Sequence, residues 1–234
     1  LLQARGIPGL IFAPQPQAGT HLDFPTGPFS CVAIGQSLTE PHLHRVGANY
    51  HQLTRLAFLH LAELGYERIG VVAHELSAHR TLYAQEALAH TLVAHGAAGG
   101  IPPFSLHYER LEKKDIRLFN EWWDRHRPDA VLSIDGSWRA VGECLRPRGI
   151  LCPQHYGLLY LSRPEDGAPD IAWIDQNDEQ IGREAVELVS MLINRGEHGL
   201  PRVPIQFLLE GQVRPGSSLP RRGEPNRSLI KLLD

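Results

Sequence analysis

The chain has 234 residues, 42% of them apolar and 21% charged, the balance of an ordinary globular protein with enough apolar mass for a sizeable core. Its 23 basic and 26 acidic side chains leave a formal charge of -3, which speaks against this chain neutralising nucleic-acid phosphates itself. The cysteines, Cys31, Cys144 and Cys152, are odd in number and lack CxxC spacing. That argues against a disulfide framework and against a thiolate zinc site, and favours buried reduced thiols and a reducing compartment.

No apolar run reaches membrane-spanning length, and no charged-then-apolar signal segment opens the chain. Met191 is the only methionine, so the chain is expected to begin inside a longer protein. Leu1, Leu2, Ala4 and Gly6 then read as the last turn of a helix and its glycine stop.

In chain order, Gly9–Ala13 is a short apolar run stopped by Pro14 and Pro16, and reads as a buried strand. Residues 14–28 read as a loop, and Phe29–Gly35 as a second strand. Leu53, Leu56, Ala57, Leu61 and Leu64 recur at helical spacing within Tyr50–Leu64, which Gly65 ends. Arg68–Ala73 is a third strand, Ser77 to about His95 a helix, and Ser105–Tyr108 a short strand. Lys113–His126 forms a helix with Ile116, Phe119, Trp122 and Trp123 near one face. The strand Ala130–Ile134 precedes a helix carrying Val141, Cys144 and Leu145. Tyr156–Leu161 and Ile171–Ile174 are strands, Glu179–Ile193 a helix with Ile181, Ala185, Leu188 and Leu192 on its stripe, and Ile205–Leu209 a last strand. Residues 214–228, rich in Pro, Gly, Ser and Arg, read as a tail. Strands and helices alternate, and the strand runs lack polar alternation. Both features point to parallel sheets covered on both faces, an α/β class whose ligands bind at the carboxyl ends of the strands.

Motifs of common chemistries are missing: no GxxxxGK[ST] phosphate loop, no GxGxxG after a strand and no GxSxG elbow. His42 and His44 form an HxH pair near His51, but without an HExxH partner they read as surface histidines in a loop rather than zinc ligands. Asp175, Asp178 and Glu179 suit a helix start, where carboxylates are favoured, better than an acid–base pair. Trp122 and Trp123, beside Phe119, read as partly buried core rather than a stacking platform. No enzyme activity and no cofactor is expected.

Four segments resemble the lactose-repressor family of transcription regulators. Leu64–Val72 (LGYERIGVV) with Ser77 and Arg80 is similar to the family's "GHRRIGFI … S…R". Arg125–Ile134 (RHRPDAVLSI) resembles its "PDAVF" strand entry. Asp175–Ala185 (DQNDEQIGREA) resembles its "Q…IG..A", with Gln176 and Gly182 in register, and Leu208–Ser218 (LLEGQVRPGSS) its closing "LV.R.SS". The segments run in the family's order from about Gly9 to Ser218.

The resemblance implies a two-lobed fold like that of periplasmic sugar-binding proteins, with the amino-terminal lobe incomplete in this chain. Residues 1–48 would be that partial lobe and 49–175 the carboxy-terminal lobe. Residues 176–202 would be a return helix of the first lobe, 203–218 a closing strand and 219–234 a tail. A small effector, a sugar or related polar metabolite, would bind between the lobes. A missing amino-terminal helix-turn-helix would read operator DNA as a homodimer in the cytoplasm, with no membrane partner. Its effector set would be Arg80, Asp135, Trp138, Ser77, Ser162 and Gln176, faced by Gln36 and Ser37. Arg80 offers a rigid donor fork and Asp135 a strand-end acceptor, while Trp138 either stacks on a ligand or packs at its helix start. The chain departs from the family where ligands are read. The Asn-Asp loop becomes Asp135-Gly136-Ser137-Trp138, the "GFD" aspartate falls near Ser162, and Val-Asp-Asn becomes Gly47-Ala48-Asn49. The competing readings are a solute-binding protein for transport and an α/β enzyme with an unrecognised site.

Overall fold

A computed structural model describes residues 2–15, 19–73, 101–106, 110–134, 136–165 and 168–233. The chain forms two compact units, Leu1–Asn49 with Asn177–Glu210, and Tyr50–Gln176 with Gly211–Asp234. The expected helix from Ser77 to His95 lies outside the described residues, as does the second half of the strand expected over Ser105–Tyr108.

Unit 1 is built on a parallel sheet. Its strands β1 (Gly9–Phe12), β3 (Ser30–Ile34), β5 (His44–Ala48) and β11 (Gln206–Leu209) lie in the order β1-β3-β5-β11. A separate small pair, β2 (Thr20–His21) and β4 (Leu38–Glu40), occupies the expected loops. The helix α4 (Asp178–Asn194) covers β1, β3 and β5 with the buried stripe Ile181, Ala185, Leu188, Val189 and Leu192. That stripe is the helical period read from the sequence. Phe29, Cys31, Ala33, Leu38 and Leu43 form a second cluster of this unit, with Phe12 and Phe24 in edge contact at 5.6 Å.

β5 falls where the sequence reads a surface loop of histidines. His42 and His51 are exposed, but His44 is 3% exposed. Its Nδ1 accepts the Ile205 N–H at 3.0 Å and its Nε2 lies 3.2 Å from Glu197 Oε1, so both ring nitrogens are occupied by structural bonds. The neighbouring Arg45 is buried as well, donating to the carbonyls of Gly35 and Leu38. Buried polar groups need such partners, and those of His44 lie far away in sequence.

Unit 2 holds a six-stranded sheet: β12 (Gln212–Arg214), β10 (Ala172–Asp175), β9 (Gly157–Tyr160), β8 (Ala130–Ser133), β6 (Ile69–Ala73) and β7 (Phe104–Ser105), in that spatial order. All pairs are parallel except β10 with β12. The helices α2 (Lys113–His126) and α3 (Ser137–Leu145) contribute Phe119, Trp122, Trp123, Val141 and Leu145 to one core cluster with Val72 and Val131. Trp122 and Trp123 are core residues, and Trp122 Nε1 donates to the Pro102 carbonyl at 2.9 Å. A capping box between Glu112 and Asp115 starts α2. Asp129 accepts the N–H groups of Glu67 and Arg68, both at 2.9 Å, and so aligns the entries of β6 and β8.

The carboxy-terminal stretch differs from the sequence expectation. What reads as one closing strand is two, β11 in unit 1 and β12 in unit 2. The stretch read as a tail ends in a helix, α5 (Arg227–Leu233), packed on α1 (Tyr50–Glu63) with Leu229 and Leu233 buried. The last carbonyls of a helix have no partner of their own. Here the tail supplies them: Arg222 and Gly223 N–H donate to Leu64 O, and Asn226 N–H to Ala62 O.

The cysteines are free thiols, Cys31 and Cys144 buried and Cys152 half-buried. Burial, reinforced by Glu143 and Asp115 at Cys144 and opposed by Arg222 at Cys152, pushes each thiol up to about 11. Because the thiolate is the nucleophile, alkylation of the native chain is expected to be slow at pH 7 and to accelerate about tenfold per pH unit toward pH 11. Cys152 should react first. Iodoacetamide labelling read by mass spectrometry checks this; rapid modification of Cys152 at pH 7 would contradict it.

Candidate functional site

In unit 2 the strands β6, β8 and β9 end together, and side chains lace their carboxyl ends. Ser137, fully buried in the first turn of α3, donates to Val72 O at 2.9 Å and lies 2.8 Å from the Ser133 hydroxyl. This anchors the start of α3 to β6 and β8. Gln176, half-buried just past β10, donates from Nε2 to Leu161 O at 2.6 Å, beyond the end of β9. Ser162 follows at once, half-buried, with no hydrogen bond among the described residues. The structure therefore brings Ser162 and Gln176 together at this edge. Ser77, Arg80 and Asp135 lie outside the described residues.

In unit 1, Gln36 and Ser37 sit in the turn after β3, where Gly35 takes a φ of 72°. Arg45 grips both flanks of this turn through Gly35 O at 2.8 Å and Leu38 O at 2.9 Å. Ser37 is used structurally: its hydroxyl accepts the Gln15 N–H and its carbonyl the Thr20 N–H. The Gln36 amide, half-buried, makes no hydrogen bond among the described residues. Sequence reasoning missed Arg45, because a charged residue inside a strand gives no apolar signal.

Trp138 packs at its helix start against the unit 2 core, under the Arg139 guanidinium at 5.0 Å. Its ring borders a cavity on the flank of the sheet. Asp175 pairs with Arg214 at 2.7 Å, and Asp178 and Glu179 lie in the first turn of α4, the helix-start arrangement expected of them. No cluster of three potential metal ligands occurs among the described residues. No helix among them is long and apolar enough to cross a membrane.

Strand-end hydroxyls and amides on parallel sheets can hold a polar ligand by hydrogen bonding. Comparison with solved structures finds the same fold in regulators. One is a periplasmic binding protein/LacI transcriptional regulator from Alkaliphilus metalliredigens complexed with D-xylulofuranose, with 18% identity, 93% of this chain and 80% of that chain covered, and a TM-score of 0.64. A LacI family transcriptional regulator from Enterococcus faecium with bound ribose shares 16% identity over 95% of this chain and 83% of that one, at a TM-score of 0.67. The transcriptional regulator CelR in complex with cellobiose shares 17% identity over 93% and 67%, at 0.65. At such identities the likeness is one of fold. Among curated protein sequences none matches the chain. Residues 58–219 match the model of the periplasmic binding protein-like domain, and the chain belongs to that family.

Proposed function

We propose that this domain binds a small polyhydroxyl metabolite, a sugar or a close relative, and through it controls operator binding by a cytoplasmic regulator dimer. The helix-turn-helix that would read DNA is a separate part, since a chain of formal charge -3 lacks the usual basic surplus. The reading rests on binding rather than catalysis.

The observation that carries it is the Ser162 hydroxyl at the strand ends of unit 2, without a hydrogen bond among the described residues; within unit 1, taken by itself, the Gln36 amide likewise has none among them. Arg45 and Gln176 fix the backbone on which these groups stand. Arg80, Asp135 and Ser77 complete the proposed set, with donors from arginine and acceptors from aspartate, which a polyhydroxyl ligand satisfies together. The bound ribose, xylulose and cellobiose of proteins with this fold favour a sugar.

The test is a thermal-shift screen of pentoses, hexoses, disaccharides and nucleosides on the intact chain. A ligand at a hundred times its Kd stabilises the state it binds by about 2.7 kcal/mol, several degrees in Tm for a domain of this size. Light scattering of the same preparation should give twice the 26.1 kDa chain mass. A screen in which no sugar raises Tm would reject the sugar reading, and a strictly monomeric chain at micromolar concentration would reject the dimer.

A further inference from the structure

Unit 2 contains a cavity of about 320 Å³ that the strand-end residues do not use. Helix α3 forms one wall with Trp138 and Gly142, Arg146 follows at its end, and the apolar lining includes Ile150, Leu158 and Ile171. That volume lies at the small end of ordinary ligand pockets.

Three observations set this cavity apart from a packing gap. Tyr156 lines it and is only 2% exposed, its ring edge-on to Trp123 at 5.2 Å. Its hydroxyl has no hydrogen bond among the described residues, a condition buried polar groups seldom tolerate without a missing partner. Burial and then the Cys152 thiol push this phenol up, and the Arg146 guanidinium partly offsets them; all three side chains line the cavity.

The second observation is the chemistry of the other free groups. The Trp138 indole N–H has no acceptor, and Arg146 has neither ion pair nor hydrogen bond, among the described residues. Phenol, indole and guanidinium are all donors, and the last two only donate. The third is Gly142, inside α3. A Cβ there would meet only Arg146 Nη2, at 3.6 Å. A glycine inside a helix weakens it relative to alanine, and no close approach demands one here. The space its side chain would occupy is part of the cavity.

We propose that this cavity is a second ligand site, taking a small aromatic monocarboxylate. The ring lies against Ile150, Leu158 and Ile171 beside Trp138, and the carboxylate accepts hydrogen bonds from the Tyr156 hydroxyl and Arg146. The apolar lining disfavours a polyhydroxyl ligand, whose hydroxyls would go unpaired. Glu143 at the mouth disfavours a second negative charge, and Asp170 is already engaged with the Ser217 N–H. The assignment stands independently of the strand-end site.

The experiment is titration of the intact chain with 2-naphthoate, by calorimetry and by tryptophan fluorescence. Saturable binding of one molecule per chain is expected. Gly142→Leu, which fills the cavity, should weaken binding at least about tenfold, and Tyr156→Phe and Arg146→Gln each about fivefold, the loss of one hydrogen bond. Because the Tyr156 hydroxyl has no partner among the described residues, Tyr156→Phe should leave Tm unchanged or raise it. Absence of saturable binding overturns the proposal, as does wild-type affinity in Gly142→Leu, which would place the probe elsewhere. A lowered Tm for Tyr156→Phe with unchanged affinity would make the hydroxyl structural. Affinity that falls as protein concentration rises would assign the cavity to a second copy of the chain. If Gly142→Leu fails to fold by circular dichroism, the other two variants decide.

Discussion

Gly216→Ala is expected to destabilise the chain by about 3 kcal/mol or more, although it adds a single methyl group. A Cβ at Gly216 would lie 2.4 Å from Ala172 N, 2.4 Å from the Ile171 carbonyl carbon and 2.8 Å from Ile171 O. These are backbone atoms, which cannot rotate away as a side-chain tip can. The displacement would also fall on a densely bonded splice in unit 2. Ser218 donates from its hydroxyl to Leu158 O at 2.7 Å and accepts the Ala172 N–H at 2.9 Å, while its backbone bonds Leu158 and Asp170. That one residue ties β9 to the entry of β10, and Gly216 must clear the same backbone to place it. Gly182→Ala is the matched control. Gly182 lies inside α4 with nothing within 4 Å of its would-be Cβ, so the same change should stabilise by about 0.5–1 kcal/mol. Denaturant melts of the two variants should move in opposite directions. Equal midpoints would show that the close approach at Gly216 is relieved at no cost.

Arg80→Ala should remove the response to the sugar found by the thermal-shift screen while leaving the unliganded chain as stable as before. In sequence Arg80 comes after β6, whose carboxyl end is tied to α3 through Ser137, and Asp135 comes directly after β8. In the proposed site the guanidinium donates to ligand oxygens. Truncating one side of such a charge-assisted contact costs about 2–5 kcal/mol, a loss of at least roughly thirtyfold in affinity. Calorimetry gives the Kd, and a thermal melt without ligand gives the stability. An unchanged Kd would remove Arg80 from the site, and a lowered Tm without ligand would make it a structural residue.

The elements read most faithfully from the sequence are those whose burial is carried by apolar side chains. Lys113–His126 is bounded as its periodicity and following proline require, and the apolar runs at 9–12, 30–34, 69–73 and 130–133 are parallel strands. β5 was illegible for the opposite reason. It is buried through His44 and Arg45, whose compensation comes from Ile205, Glu197 and the turn at Gly35, contacts that local sequence does not reveal. Likewise α5 was hidden behind Pro, Gly and Arg residues that read as solvated but serve to terminate α1. The strand-end positions of Ser162 and Gln176 were legible through the family resemblance, while their role as ligand contacts belongs to the proposal. The flank cavity was not, since it is assembled from α3, the segment before β9 and the turn before β10.

The pairing of β5 with β11 also sets a schedule for synthesis on the ribosome. The bond from Ile205 to His44 spans 161 residues, so at about 5–20 residues per second the edge of β5 waits roughly ten to thirty seconds for its neighbour. Helix α4, which covers three strands of that sheet, also emerges late. Meanwhile β6 to β10, all encoded between the two halves of unit 1, can already have paired with one another. The nascent chain thus completes its middle before its beginning, and carries an open strand edge of the kind that recruits other chains until residue 209 is free of the exit tunnel.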